Sequence, residues 1–211
     1  MNIEFFHSVM CGHCFIMSKR IREIVVEYPK LEIIHRSHPL RWDDSEDKET
    51  FASEEEFKEE TINKWEIANR IDEAKRFNIE GLKKMDFKMP TARRSMLAIQ
   101  AGVLAGGNEW DLFDRFQQAL YEEVRNITDE DVIADIIIEM GIDFNPFLKH
   151  YEDPKTEEMV VSDFKRVDKY NLTLVPAMVV EETHIIEGTK RKDLAIQLLK
   201  EIAEAEGYSM I

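Results

Sequence analysis

The stretch that most constrains this chain lies near its amino terminus. A short apolar run, Ile3-Glu4-Phe5-Phe6, leads through His7-Ser8-Val9-Met10 into Cys11-Gly12-His13-Cys14, and an amphipathic helical pattern starts at once behind it. A thiol pair two residues apart, where a strand hands over to a helix, is what a dithiol/disulfide catalyst requires. First-turn N–H groups have no intrahelical acceptor, and the helix dipole places partial positive charge there. Negative charge on sulfur is favoured at that point, so the Cys11 thiol is expected to ionise at roughly pH 3.5–7.5. Cys14, one turn further in, is expected to be buried and protonated, ready to resolve a mixed disulfide by attacking the Cys11 sulfur. Protonated His13 would add positive charge beside the Cys11 thiolate and make the disulfide more oxidising. Gly12 would let a substrate backbone approach closely.

Cys-x-x-Cys is also half of a structural zinc site, but these are the only two cysteines of the chain. Completing a tetrahedral site would need two further ligands, for which His7, His35 and His38 are the candidates. His35 and His38, near the end of the second predicted strand, read more simply as polar residues at its carboxyl edge. No metal site is assigned.

The 211 residues suffice for one large domain, or for one domain with another inserted in it. Acidic residues outnumber basic ones 43 to 28, for a net charge of −15, which argues against nucleic acid and anionic membrane surfaces as partners. No apolar run approaches the roughly 18–20 residues of a membrane-spanning helix, and without a basic segment followed by a long apolar stretch ahead of the first strand no secretory signal is expected in the sequence as given. A cytoplasmic protein is expected, where a lone cysteine pair is catalytic or redox-sensing rather than structural.

Hydrophobic spacing predicts a helix over 14–28, stopped by Pro29, and a parallel strand over 31–36. From 43 to 166 only helices are predicted. Asp43-Asp44-Ser45-Glu46-Asp47 reads as an acidic loop. Ser53-Glu54-Glu55-Glu56 opens a long helix to about Phe77, burying Phe57, Trp65, Ala68 and Ile71. Further helices begin at Pro90-Thr91, Asn108, Thr128-Asp129-Glu130-Asp131 and Thr156, with a short piece after Pro146; their aromatic and Met positions read as core. Strand chemistry returns with Leu174–Val180 and His184–Glu187 as a hairpin, and a last helix spans Arg191–Ala205. An α/β domain of residues 1–42 and 167–211 would thus be interrupted by an all-helical insertion, 43–166.

This order resembles the thioredoxin-like fold, and the helical insertion resembles the DsbA family, within it the FrnE-like branch. The resemblance rests on Glu4-Phe5-Phe6 before Cys11-Gly12-His13-Cys14; His38-Pro39-Leu40; Pro90-Thr91-Ala92-Arg93-Arg94; Gly141-Ile142-Asp143; Leu174-Val175-Pro176; and Ile186-Glu187-Gly188-Thr189. It implies that Cys11 is the exposed nucleophile, Cys14 the resolving thiol and Pro176 a cis-proline facing them. The Val175 backbone would pair with an extended substrate. Glu4 would match the buried acid that assists proton transfer at the resolving cysteine, or else be a surface or edge-strand glutamate. The Gly12-His13 dipeptide looks like that of protein disulfide isomerase, whose poise is about −180 mV against about −120 mV for DsbA.

The resemblance implies a thiol:disulfide oxidoreductase exchanging disulfides with proteins or peptides. The Cys11–Cys14 disulfide is its working group, with no other cofactor, and glutathione or a thioredoxin-type reductant is its electron partner. Two readings compete: a glutathione-dependent small-molecule transferase or isomerase of the same fold, and a non-enzymatic zinc- or peptide-binding adaptor.

Overall fold

The structure, a computed structural model, describes residues 1–43 and 53–211, so most of the predicted acidic loop, from Asp44 to Asp47, lies outside the described residues. It divides into two compact units, Met1–His38 with Asp163–Ile211, and Pro39–Ser162.

The first unit is built on a four-stranded sheet, β1 (Asn2–His7), β2 (Glu32–Ser37), β3 (Ala177–Val180) and β4 (His184–Glu187), in the order β2-β1-β3-β4. β1 and β2 run parallel, with Phe5 opposite His35. β3 runs antiparallel to both β1 and β4, with Phe6 opposite Ala177. The parallel pair needs a crossover, supplied by α1 (Gly12–Glu27); α1 packs against the terminal helix α9 (Lys192–Glu206). Phe15, Ile16, Met17, Ile21 and Ile24 of α1 are buried. Phe6 joins a core cluster with Val167, Leu172, Ala177 and Val179, against which Tyr170 and Val175 pack. Glu181-Glu182-Thr183 connect the hairpin: Glu181 and Glu182 have φ of 49° and 58°, in the left-handed region, and the Thr183 N–H closes onto the Val180 carbonyl at 3.1 Å.

The second unit contains only helices among the described residues: α2 (Glu54–Ile71), α3 (Ile79–Lys84), α4 (Ala92–Leu104), α5 (Glu109–Tyr121), α6 (Glu130–Glu139), α7 (Phe144–Tyr151) and the first part of α8 (Pro154–Lys169). α4 packs against α5, α6 and α7 and buries Met96, Leu97 and Ile99. Trp65, Phe77 and Tyr121 form a ring cluster with centroids 5.0–5.8 Å apart.

Two expectations are corrected here. α2 stops at Ile71, six residues before Phe77, and Ile71 is exposed. The stop is made by side chains. Asp72 Oδ2 accepts the Arg76 N–H at 2.8 Å, and Asn69 exchanges two bonds with the Phe77 backbone, at 2.8 and 2.9 Å. α6 starts within the predicted Thr128-Asp129-Glu130-Asp131 stretch, with Asp129 as its cap; the Asp129 carboxylate accepts from Asp131 N–H at 2.9 Å. The strand predicted from Leu174 begins only at Ala177, after Pro176, which has no N–H for a ladder.

Candidate active site

The site is assembled within the first unit. β1 ends at His7, and Ser8 turns the chain: its hydroxyl accepts the Met10 N–H at 3.3 Å and its carbonyl the Cys11 N–H at 3.0 Å. Cys11 follows as the N-cap of α1, with extended backbone (φ −100°, ψ 103°). Its Sγ accepts the Cys14 backbone N–H at 3.1 Å, so the sulfur takes the place usually held by a capping hydroxyl. The same Sγ lies 3.6 Å from the Val175 carbonyl oxygen, to which the thiol donates. The Val175–Pro176 peptide bond is cis. Cys11, Cys14, Val175 and Pro176, up to 165 residues apart in sequence, are thereby brought together.

Both cysteines are in the thiol form. Cys14 is fully buried, and burial pushes its thiol well above the ordinary range, as do the hydrogen bond and charge of Cys11; the Ser8 backbone N–H opposes this. It is a thiol held protonated until a reaction draws its proton away. Cys11 is not the exposed residue anticipated: only 6% of it is accessible, because it is seated between its own helix and the Val175 loop.

His13 differs from expectation as well. Its Nδ1 lies 2.9 Å from Thr189 Oγ1, and burial lowers its pKa below the ordinary value, so the ring is neutral at pH 7 and brings no fixed positive charge to the cysteines. Beyond Thr189, Arg20 is buried in α1 and donates to the Lys190 carbonyl at 2.7 Å. Gly12 is partly accessible at the first position of α1.

Glu4 is not placed to relay protons. Its carboxylate is 4% exposed and receives Arg166 through Nε and Nη2, both at 2.5 Å, Arg36 Nε at 2.7 Å and the Tyr170 hydroxyl at 2.9 Å. Burial raises its pKa, but the hydrogen bonds from Arg166, Arg36 and Tyr170 outweigh this and leave it below the ordinary value. A relay takes up a proton near neutrality; this carboxylate is held charged. Arg36 also meets Asp163 at 3.3 Å, and Asp163 accepts the Ser37 N–H at 2.9 Å, so the cluster fastens α8 to β1 and β2. Nothing in the local sequence marks that pairing, whose members lie 126–162 residues apart.

The histidines considered as metal ligands are engaged with each other. His7 Nε2 and His35 Nδ1 are 2.9 Å apart and buried, with Phe5 against both rings. Burial, then the proximity of His35 and His38, holds His7 well below its ordinary pKa; burial, then Arg22, lowers His35 to about 4. The His38 N–H donates to the His7 carbonyl at 2.8 Å. Among the described residues, no group of three or more His, Cys, Asp or Glu side chains is arranged to hold a metal ion.

Comparison with known proteins agrees with this architecture. Residues 2–200 match the DSBA-like thioredoxin domain. No curated protein sequence matches the chain. Among solved structures it is similar to a proposed protein disulfide isomerase from Nitrosomonas europaea, with a TM-score of 0.78 at 16% identity over 97% of this chain and 98% of that one. It is similar to the cytosolic disulfide reductase DsbM from Pseudomonas aeruginosa (TM-score 0.74, 12% identity, 96% and 98% covered). A 2-hydroxychromene-2-carboxylate isomerase is also similar (TM-score 0.70, 13% identity, 98% of each chain covered). Identities this low speak to the fold alone, which is the thioredoxin-like α/β fold with a helical insertion. With the match running from residue 2 to residue 200 and the cysteine pair at the strand-to-helix junction, the chain belongs to the family of DSBA-like thioredoxin domains.

Proposed function

We propose that this protein is a thiol:disulfide oxidoreductase that exchanges disulfides with protein or peptide substrates. The observation that carries the reading is the Cys11 sulfur, held as a helix cap 3.1 Å from the Cys14 N–H and 3.6 Å from the Val175 carbonyl. Cys11 is the nucleophile in this reading. As the thiolate it attacks one sulfur of a substrate disulfide, forming a mixed disulfide and expelling the other sulfur as a thiolate that takes up a proton. Cys14 then gives up its proton and attacks the Cys11 sulfur. The Cys11–Cys14 disulfide forms and the second substrate thiol leaves protonated. Two electrons pass from the dithiol to the substrate; glutathione or a thioredoxin-type reductant must return them. Oxidation of substrate is the reverse.

The remaining residues take supporting roles. The Val175 backbone, ahead of Pro176, offers a short edge to an extended substrate, and Gly12 leaves room for its main chain. His13 orients the first turn of α1 through Thr189. The cysteine pair carries the electrons without a further cofactor. We place the protein in the cytoplasm, working toward reduction or isomerisation. Its only two cysteines both sit in the site, glutathione keeps cytosolic thiols reduced, and no described helix is long and apolar enough to cross a membrane. The similarity to a cytosolic disulfide reductase supports this direction.

The test is the equilibrium of the Cys11–Cys14 pair against defined glutathione buffers, read by thiol trapping. A potential near about −180 mV supports an isomerase, and one near about −270 mV a reductase. A pair that forms no disulfide across the series refutes redox catalysis. The similarity to an isomerase of a small aromatic acid favours a second reading, glutathione-dependent isomerisation of a small molecule. Glutathione-dependent turnover of such a substrate by protein lacking Cys14 would establish it.

A further inference from the structure

We propose that Glu187 is a positioning residue that sets the substrate-docking loop 173–176 over the cysteines, a role that rests on the disulfide-exchange reading above. The loop joins α8 to β3 and has no ladder partner until Ala177 pairs with Glu187. Thr173 and Leu174 are exposed, so solvent alone would be the expected partner of their backbone N–H groups. A single carboxylate oxygen takes both instead. Glu187 Oε1 accepts Thr173 N–H at 2.7 Å and Leu174 N–H at 3.1 Å, with the Thr173 hydroxyl at 3.5 Å. Hydrogen bonds to an ionised acceptor are about twice as strong as neutral ones, so this side chain extends the ladder beyond the end of β4.

The next residue grips the other end of the loop. Gly188, at φ +79°, turns its N–H onto the Pro176 carbonyl at 2.7 Å. Thr189 then meets His13, and the Lys190 carbonyl receives Arg20. Four consecutive residues, 187–190, thus tie the docking loop on one side to α1 on the other. Glu187 is the one that reaches the loop through its side chain. It fixes the segment immediately ahead of Val175, residues 173 and 174, while the Cys11 contact and the Gly188–Pro176 bond hold the Val175–Pro176 end of the loop independently of it. Glu187 acts on substrate binding through the loop, not on the sulfurs. Its loss should weaken docking and leave the chemistry of the pair unchanged.

The experiment compares Glu187→Ala and Glu187→Gln with wild type. It measures steady-state reduction of a disulfide-containing peptide, the glutathione equilibrium of the cysteine pair, and amide exchange at Thr173 and Leu174. Glu187→Ala should raise KM about tenfold with kcat little changed, the pattern of lost binding rather than lost chemistry. Its Cys11–Cys14 equilibrium should match wild type, and exchange at the two amides should accelerate about tenfold. Glu187→Gln keeps an oxygen acceptor and should stay within about threefold of wild type in KM. Unchanged KM in Glu187→Ala, a parallel fall in kcat and equilibrium, or equal damage by Gln would overturn the proposal. If wild type reduces no disulfide, the exchange data separate the two ideas. Accelerated exchange in Glu187→Ala would then refute the proposed function and leave the clamp standing, whereas unaltered exchange would refute the clamp.

Discussion

The Sγ of Cys11 caps the helix that carries Cys14, accepting the Cys14 backbone N–H at 3.1 Å. One atom is thus both the end of a helix and the proposed reacting group. A serine hydroxyl can fill the capping role without the nucleophilicity of a thiolate. Cys11→Ser should therefore fold normally and lose disulfide reduction, while Cys11→Ala should lose about 1 kcal/mol of stability as well. Cys14→Ser should accumulate mixed disulfides with substrate, visible as a mass increase removed by dithiothreitol. Undiminished turnover by Cys11→Ser would sink the mechanism.

The charged state of Glu4, held by Arg166, Arg36 and Tyr170, predicts a structural rather than a catalytic phenotype. Glu4→Gln leaves two guanidinium groups facing a neutral partner in a largely buried place. The cost should be about 3 kcal/mol, read from urea unfolding. The rate at which Cys14 resolves a mixed disulfide should keep its pH profile. Slower resolution at unchanged stability would instead restore the relay.

The buried His7–His35 pair makes stability pH-dependent in a definite direction. His35 has a folded-state pKa of about 4 against an ordinary 6.5, so between these values the unfolded chain binds a proton that the folded chain refuses. Stability should fall as pH drops from about 6.5 toward 4, by about 3 kcal/mol from this residue in full. His7 adds in the same sense. In His35→Gln, the slope of unfolding free energy between pH 6.5 and 5, above most carboxylate titrations, should flatten; an unchanged slope would contradict the burial argument.

A neutral His13 bounds its influence on the cysteines. At pH 7.5, His13→Gln should move the potential of the pair by less than about 30 mV, a tenfold change in equilibrium constant for two electrons. Burial delays protonation of the wild-type ring to more acidic pH; once protonated there, it favours the thiolate and should make the pair more oxidising than the variant. A large difference at pH 7.5 would mean that the imidazole is charged there.

Local features were legible in the sequence because their causes are local. The apolar run, Cys11-Gly12-His13-Cys14 and the pattern behind them sit where the strand-to-helix handover occurs. Asn108 caps α5 through a bond to the Asp111 N–H, and Gly141, at φ +70°, follows the end of α6. The end of α2 was missed because Asn69 and Phe77 exchange bonds across a reversal that hydrophobic spacing does not register.

What the sequence by itself determined was most of the elements, though not α3, together with the fold class and the cysteine pair, since periodicity, caps and a short motif each act within a few residues. What only the tertiary structure decided was the state of the groups around that pair: a Cys11 sulfur seated against Val175, a neutral His13 on Thr189, a Glu4 held charged by two arginines, and a docking loop fastened by Glu187. The reason is physical. Protonation and orientation depend on which partners share a buried volume, and here the partners of Cys11, His13 and Glu4 lie as many as 176 residues away.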